Sequence, residues 1–202
     1  MFSGIVECQA AVHELHQRPG VLVLTLKRPE QFDDIKSGDS IAVNGVCLTV
    51  ETLDAASMSF ALGEETLQVT SWNPLFLQQR SLNLERSMRW GDRLHGHMVA
   101  GHVDAMGVVQ AREEIGEGLK LTIGFPDNLK SFLWTKGSVA VNGVSLTINQ
   151  LVDLSFTVGL IPETLKRTNL NELQVGDKVT LEVDMVARAL QSWILQRQEV
   201  QP

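Results

Sequence analysis

The sequence is poor in cysteine and lacks both a long apolar run and a secretion signal. Only Cys8 and Cys47 occur among 202 residues, and they form no CxxC pair. This argues against a disulfide-stapled scaffold and against a cysteine-rich zinc site, so both thiols are expected to be reduced. No apolar run approaches the roughly 20 residues that cross a bilayer, and the opening MFSGIVECQA has no basic segment followed by an apolar one. We therefore expect a cytoplasmic protein.

Clusters of positive charge and phosphate-binding motifs are also missing. Lys and Arg number 17 against 24 Asp and Glu, which gives a formal net charge of −7 without a block of like charges. Nucleic acid and membrane partners therefore have no electrostatic support. Neither GxGxxG nor GxxxxGK[ST] occurs, which disfavours nicotinamide and ATP chemistry. With 44% hydrophobic and 20% charged residues, the chain is expected to fold and to bind a small molecule or a protein.

An internal repeat dominates what is present. Residues 40–50, SIAVNGVCLTV, align with residues 138–148, SVAVNGVSLTI, and eight of the eleven positions are identical. Shorter matches keep the same order in both halves, including Leu84-Glu85 with Leu181-Glu182. A fixed offset of this kind indicates a duplicated unit. We therefore predict domains at residues 1–96 and 97–186, followed by a separate segment at 187–202.

Each half is predicted to be an all-β barrel. Residues 21–26, 119–123 and 179–183 show a period of two, with apolar residues at every second position. This pattern is typical of half-buried strands. Asn-Gly pairs at 44–45 and 142–143 predict tight hairpin turns. The spacing predicts two tandem six-stranded Greek-key-like barrels, each with one short helix, at 29–35 and 126–133, because proline suits the first helical turn.

The C-terminal segment changes period and is predicted to be a helix. Val186, Ala189, Leu190, Trp193 and Ile194 recur at three- and four-residue spacing and form one apolar face. This helix either packs on its own chain or joins neighbouring subunits. The residues alone slightly favour the first alternative.

Positions where the two copies differ are the candidates for chemistry. Cys47 aligns with Ser145; a thiol there is either a nucleophile or acid-base group or a small buried residue, which composition favours. His95, His97 and His102 cluster in one segment, but without HExxH or a carboxylate at catalytic spacing they give only a weak zinc signal. His102 is equally compatible with an acid-base role and with a structural turn.

Two further sets of repeated residues are open to interpretation. The Glu-Thr-Leu repeats at 65–67 and 163–165 form either a ligand rim or a strand edge. Hydroxyls at Ser40 and Thr49 are matched by hydroxyls at Ser138 and Thr147. Such groups suit hydrogen bonding to a polar heterocycle, although each taken singly is also an ordinary polar strand residue.

These motifs together resemble riboflavin synthase of the duplicated-barrel type. The resemblance rests on residues 1–6 (MFSGIV), 40–50, 96–102 (GHMVAGH), 136–147 and 160–168, and covers residues 1 to about 190 in order. Optical antenna proteins that bind lumazine or flavin share much of this set.

The resemblance implies a transferase that needs no cofactor and no metal. Two molecules of 6,7-dimethyl-8-ribityllumazine would exchange a four-carbon unit, giving riboflavin and 5-amino-6-(ribitylamino)uracil, the last step of riboflavin biosynthesis. It further implies a homotrimer joined by the C-terminal helix, which reverses the preference stated above for that helix. The reacting pair would lie between the N-terminal barrel of one subunit and the C-terminal barrel of the next. Lumazine synthase is a further possible partner.

The resemblance also assigns site residues. Catalytic roles fall first on Cys47 and second on His102, with supporting hydrogen bonds from Ser40, Ser145 and Thr147. In the N-terminal barrel, substrate would contact Gly4, Ile5, Val6, Cys47, Leu48, Thr49, Ala61, Leu62, Gly63, Glu64, Glu65 and Thr66. In the second barrel, substrate would contact Gly101, His102, Val103, Lys136, Ser145, Leu146, Thr147, Gly159, Leu160, Ile161, Pro162, Glu163 and Thr164.

Departures from the family pattern define the alternatives. Asn142 stands where many members have Asp, and Ala100 where they have Ser. If that Asp were an essential base, this chain would be a non-catalytic lumazine- or flavin-binding protein. A flavin-dependent oxidoreductase on a similar barrel is the weakest alternative, because no nicotinamide-binding domain follows.

Overall fold

The computed structural model describes residues 1–78 and 80–199 and contains two closed antiparallel barrels of six strands each. The strands of the first barrel are β1 (Cys8–Arg18), β2 (Val21–Lys27), β3 (Ser40–Val43), β4 (Val46–Leu53), β5 (Ser57–Gly63) and β6 (Ser81–Arg86). Those of the second are β7 (Ala105–Ile115), β8 (Gly118–Gly124), β9 (Ser138–Val141), β10 (Val144–Val152), β11 (Ser155–Leu160) and β12 (Lys178–Val183). Both barrels close in the same order, β1-β2-β5-β4-β3-β6 and β7-β8-β11-β10-β9-β12. The predicted pair of barrels is confirmed.

Strand alternation builds a separate core in each barrel. In β2 the side chains of Leu22, Leu24 and Leu26 are buried, whereas the residues between them are only partly covered. Strand β8 repeats the pattern. Successive strand side chains point to opposite faces, and burying each leucine contributes about 1.5–3 kcal/mol. The period-two pattern therefore decides which face of each strand closes inward.

The two Asn-Gly turns form as predicted and pack against each other. Asn44 and Gly45 have φ of 44° and 80°, and Asn142 and Gly143 have φ of 46° and 79°. Two consecutive positive φ values are what a type I′ hairpin requires. A Cβ added to Gly45 would lie 2.7 Å from the Gly143 nitrogen, so no side chain fits where the barrels meet.

The short helices differ from the prediction. Residues 29–35 form turns, because Arg28 donates from Nε and Nη2 to the Phe32 carbonyl oxygen at 3.0 and 2.8 Å and the Phe32 ring is buried. The predicted helix there is wrong. At 126–133 the chain forms a 3-10 helix, Asp127–Phe132, with Pro126 as its N-cap.

Three further helices and a second 3-10 helix were not predicted. They are α1 (Glu64–Thr70), α2 (Pro74–Gln78), α3 (Pro162–Arg167) and the 3-10 helix Asn169–Glu172. The Glu-Thr-Leu repeats lie in α1 and α3, so their interpretation as a strand edge is wrong. The signals were Pro162 at the first helical position and acidic residues in both first turns.

The C-terminal helix α4 (Met185–Glu199) is confirmed, and its apolar face is open. Val186, Leu190 and Trp193 are each more than half exposed, while Ala187 is buried. Arg188 ties the helix to Asp104 through an ion pair at 2.8 Å. Packing on its own chain therefore leaves the predicted face uncovered. Residues 200–202 of the predicted segment lie outside the described residues. No helix among the described residues is long and apolar enough to cross a membrane.

Candidate functional site

Each barrel opens into a cleft where two strands separate. Strands β4 and β5 pair only from Val50 onward, and β10 and β11 pair only from Ile148 onward. The parts of β4 and β10 that precede these positions therefore lack a strand partner on that side. We call the openings the first cleft and the second cleft. The residues whose alternation points them outward are Cys47, Thr49, Ala61 and Gly63 at the first cleft, and Ser145, Thr147, Gly159 and Ile161 at the second.

Peptide groups of a threonine line each cleft. The Val50 N–H donates to the Asp39 carbonyl oxygen and the Val50 carbonyl accepts from the Gly38 N–H, so both Val50 groups point away from β5. Because consecutive strand residues direct their peptide groups to opposite sides, those of Thr49 point toward β5 and the first cleft. Ile148 bonds in the same way to residues 136 and 137, which aims the Thr147 groups into the second cleft. One donor and one acceptor side by side can bind the edge of a polar heterocycle.

Several predicted contact residues can offer only backbone atoms. The side chains of Leu48, Leu62, Leu146 and Leu160 all lie in the barrel cores. Small residues flank them on the outside, and a Cβ added to Gly63 would meet no atom within 4 Å. The first cleft is therefore open above Gly63, while Ile161 occupies the matching position of the second cleft.

The segments that precede the first strand of each barrel cross over to the other barrel. The Cys47 N–H donates to the Gly101 carbonyl oxygen at 2.8 Å, and the Ser145 N–H donates to the Gly4 carbonyl oxygen at 2.8 Å. Val103 packs against the first core and Val6 belongs to the second. The prediction that placed residues 4–6 with the N-terminal barrel and residues 101–103 with the second is therefore wrong.

A two-way backbone bridge joins the exchanged segments. Phe2 and Val99 pair with each other, N–H to carbonyl in both directions at 2.8 and 3.0 Å. This pairing ties the two segments together where they cross. Gly4 and Gly101 then adopt positive φ, 74° and 81°, which places their backbones directly against Ser145 and Cys47.

Two buried glutamates hold these segments in place. Glu85 accepts from the N–H groups of Ser3 and Gly4 at 2.7 and 3.0 Å and from the Ser3 hydroxyl at 2.8 Å. Glu182 accepts from the N–H groups of Ala100 and Gly101 at 2.7 and 2.9 Å. Burial raises the pKa of both carboxyl groups, and these hydrogen bonds oppose the rise. The repeated Leu-Glu pair was the signal for these glutamates in the sequence. Ala100 takes the position of Ser3 in the second copy, so Glu182 has no counterpart of the hydroxyl bond that Ser3 makes to Glu85.

The predicted catalytic residues divide between the two clefts. Cys47 is half-buried at the first cleft, where exposed His102 follows Gly101. Ser145 and Thr147 lie at the second cleft. The Lys136 N–H donates to the carbonyl oxygen of Ile148, the residue after Thr147. Ser40 pairs across β3 and β4 with Thr49 and lines a polar groove of about 640 Å³ outside the first barrel.

The histidines do not gather at a metal site. His95 and His102 are exposed, whereas His97 is buried and its Nδ1 lies 2.7 Å from Ser145 Oγ. Among residues 1–78 and 80–199, no group of three His, Cys, Asp or Glu side chains could hold a metal ion. His97 was considered only as part of the weak zinc signal and was not among the predicted catalytic or substrate-binding residues, although it lies within the GHMVAGH motif.

The remaining predicted residues lie at the rims. Glu64, Glu65 and Thr66 begin α1, while Pro162, Glu163 and Thr164 begin α3. A cavity of about 500 Å³ extends the second cleft past Ile161 and Pro162 to Asn149 and Lys120. In the first barrel, Glu51 takes the position of Asn149 and pairs with Arg18 at 2.7 Å. The two clefts therefore differ at their outer ends.

Asn142 is part of a buried hydrogen-bonded cluster between the barrels. Its Oδ1 accepts from the Thr180 N–H at 2.9 Å, and its Nδ2 donates to Asn169 Oδ1 at 3.2 Å. Asn169 Nδ2 in turn donates to Asn44 Oδ1 at 2.9 Å. A carboxylate at position 142 could not make the bond to Asn169. Asn142 therefore stabilises the contact between the barrels, and its side-chain amide bonds to the side-chain amide of Asn169.

The fold and its two clefts define the class of tandem-barrel proteins with one related cleft in each barrel. The model of the lumazine binding domain matches this chain at residues 3–87 and again at 100–184. Riboflavin synthase of Actinobacillus pleuropneumoniae is 34% identical over 202 residues, covering 100% of this chain and 94% of that protein. Riboflavin synthase of Mycobacterium bovis is 40% identical over 192 residues, covering 93% of this chain and 95% of that protein. The chain belongs to the riboflavin synthase family of duplicated lumazine-binding barrels.

Solved structures share the fold. The crystal structure of LumP complexed with riboflavin has a TM-score of 0.83 at 23% identity and covers 91% of this chain and 99% of that chain. LumP complexed with 6,7-dimethyl-8-(1'-D-ribityl) lumazine has a TM-score of 0.81, also at 23% identity, with 91% of this chain and 99% of that chain covered.

Proposed function

We propose that this protein is a riboflavin synthase. It converts two molecules of 6,7-dimethyl-8-ribityllumazine into riboflavin and 5-amino-6-(ribitylamino)uracil without a cofactor. The observation that carries the proposal is the presence of two related clefts in one chain, each with threonine peptide groups and a cross-docked glycine. Because donor and acceptor are the same molecule, the reaction needs two similar sites.

The clefts supply orientation and hydrogen bonds. The Thr49 and Thr147 peptide groups bind the pyrimidine edge of each lumazine, and the ribityl chains extend to the polar rims. Orientation of two bound reactants can contribute roughly 7–11 kcal/mol of barrier lowering.

Proton transfer starts the reaction. The 7-methyl group of the lumazine is acidic because its carbanion delocalises into the ring. A base or an activated water removes that proton, and the carbanion attacks an electrophilic carbon of the second lumazine. We assign Cys47 and His102 to acid-base or nucleophilic help at the first cleft, and Ser145 and Thr147 to hydrogen bonding at the second.

Assembly brings the two kinds of cleft together. We propose a homotrimer in which the first cleft of one subunit faces the second cleft of the next. The domains are residues 1–96 and 97–186, whose leading segments exchange between the two barrels, and residues 187–202, which join subunits. Support comes from the open apolar face of α4 at Val186, Leu190 and Trp193 and from the division of the predicted catalytic residues between two clefts. Uncovered faces of this kind mark interaction surfaces.

The direct test is incubation of the purified protein with 6,7-dimethyl-8-ribityllumazine and no added cofactor, followed by chromatography. Riboflavin and the uracil product should appear in equal amounts. Binding of lumazine without product would move the chain to the non-catalytic, antenna-like class. If the protein neither binds lumazine nor forms product, both the synthase proposal and the non-catalytic alternative are overturned.

A cysteine pair tests the assignment at the first cleft. Cys47→Ala should reduce turnover sharply while lumazine binding persists. Cys8→Ala is the matched control, since burial raises the pKa of the Cys8 thiol to about 11 and β1 keeps it away from the cleft. Unchanged turnover in Cys47→Ala would remove the role given to Cys47.

A further inference from the structure

Ser145 is closely packed at the second cleft. A Cβ on Gly4 would lie 2.6 Å from Ser145 Cβ, and a Cβ on Gly96 would lie 2.8 Å from Ser145 Cβ and 2.9 Å from its Oγ. The third neighbour is His97, whose Nδ1 is 2.7 Å from Ser145 Oγ. Two backbones and one ring therefore fix the position of this hydroxyl.

The first cleft has only part of this arrangement. Gly101 packs against Cys47 as Gly4 packs against Ser145. At the second cleft the imidazole of His97 also contacts Ser145, the position at which the repeat exchanges cysteine for serine.

His97 is a buried histidine whose two ring nitrogens have different surroundings. The residue is 9% exposed, and no group among residues 1–78 and 80–199 hydrogen-bonds to its Nε2. Burial lowers the pKa of the imidazole, which favours the neutral ring. In a neutral ring one nitrogen carries a proton and the other a lone pair, so Nε2 is either an N–H donor or a lone-pair acceptor.

The cost of each choice decides the tautomer. A buried backbone N–H without a partner is rarer in proteins than an under-satisfied backbone carbonyl, and we apply the same preference to the imidazole nitrogens. Placing the proton on Nδ1 leaves Nε2 as a bare lone pair and lets Nδ1–H donate to Ser145 Oγ. With one lone pair of Oγ so occupied, the hydroxyl proton of Ser145 is free for another acceptor.

We propose that His97 is a positioning residue that makes Ser145 a hydrogen-bond donor to the ligand of the second cleft. The acceptor is a ring carbonyl oxygen or ring nitrogen of a bound heterocycle, and its identification with a lumazine rests on the proposed function. Donation from a fixed hydroxyl stabilises negative charge that spreads onto that atom when the neighbouring methyl group loses its proton. Ser145 therefore stabilises the anion and does not act as the base.

The tautomer can be measured without any turnover. NMR of protein labelled with ¹³C and ¹⁵N at histidine should show a neutral His97 protonated at Nδ1 at pH 7. The His97→Asn variant assigns its signal, and His16→Ala, which removes an exposed histidine of β1, controls for general shifts. A ring protonated at Nε2, or a cationic ring, would overturn the proposal.

Ligand affinity and turnover test the path through Ser145. His97→Ala and Ser145→Ala should each weaken binding of 6,7-dimethyl-8-ribityllumazine at the second cleft about tenfold, and the double variant should weaken it no further. His97→Asn should recover most of the loss, since its Nδ2 can replace Nδ1. Additive losses, or no recovery with Asn in a folded variant, would contradict a role through Ser145. If the wild type binds but does not turn over, the proposed function fails while these outcomes still decide the role of His97.

Discussion

Replacing Gly101 with alanine tests whether the crossed segments shape the clefts. Gly101 has φ of 81°, and its new Cβ would lie 2.5 Å from Cys47 Cβ and 2.8 Å from Cys47 N. The left-handed conformation costs an alanine about 1–2 kcal/mol, and overpacking adds about 1–3 kcal/mol. Because the atoms that it meets belong to the backbone and Cβ of β4, they cannot rotate away. We expect a total loss of about 2–5 kcal/mol in the free energy of unfolding.

Gly20 is the matched control. Its φ of 76° is close to that of Gly101, but a Cβ there meets nothing within 4 Å. Gly20→Ala should therefore lose only the conformational part, about 1–2 kcal/mol. Urea unfolding of both variants measures the difference, and lumazine titration shows whether the first cleft has widened or closed. Equal losses in the two variants would refute the contact between Gly101 and Cys47.

Three further outcomes follow from the buried polar groups and the open helix. Asn142→Asp should lower the free energy of unfolding by about 3 kcal/mol, and by more at higher pH, because a buried carboxylate replaces the donor to Asn169. Urea unfolding measures this loss, and Asn149→Asp, at an exposed position, is the control. The raised pKa of Glu182 means that its protonated form favours the fold, so its contribution to stability is lost as pH rises from about 4.5 through the folded pKa. The destabilisation by Glu182→Gln should accordingly be smaller at pH 7 than at pH 4, and a larger one at pH 7 would contradict this sign. Replacing both Leu190 and Trp193 by Ser should shift sedimentation from trimer to monomer while the circular dichroism of the barrels is kept; an unchanged trimer would show that this face of α4 is not the interface.

The repeat and the period of each segment were enough to predict much of the fold. Alternation in residues 21–26 and 119–123 depends only on which face is buried, and Asn-Gly turns depend only on local φ, so both were correct. The helix expected at 29–35 failed because the Arg28 side chain captures the Phe32 carbonyl, a contact that a local pattern does not contain. Helices α1 and α3 were missed because their short Glu-Thr-Leu segments carry too few residues to show a period.

The sequence by itself determined the duplication and the barrel class, because these follow from local alternation and from identity between the copies. Tertiary structure decided which barrel each segment serves. Gly4 docks on Ser145 and Gly101 on Cys47, and Phe2 and Val99 pair where the two segments cross. It also decided that Asn142 bonds to Asn169 and that His97 contacts Ser145. These contacts join residues that are 27 and 48 positions apart, so only the tertiary fold brings them together.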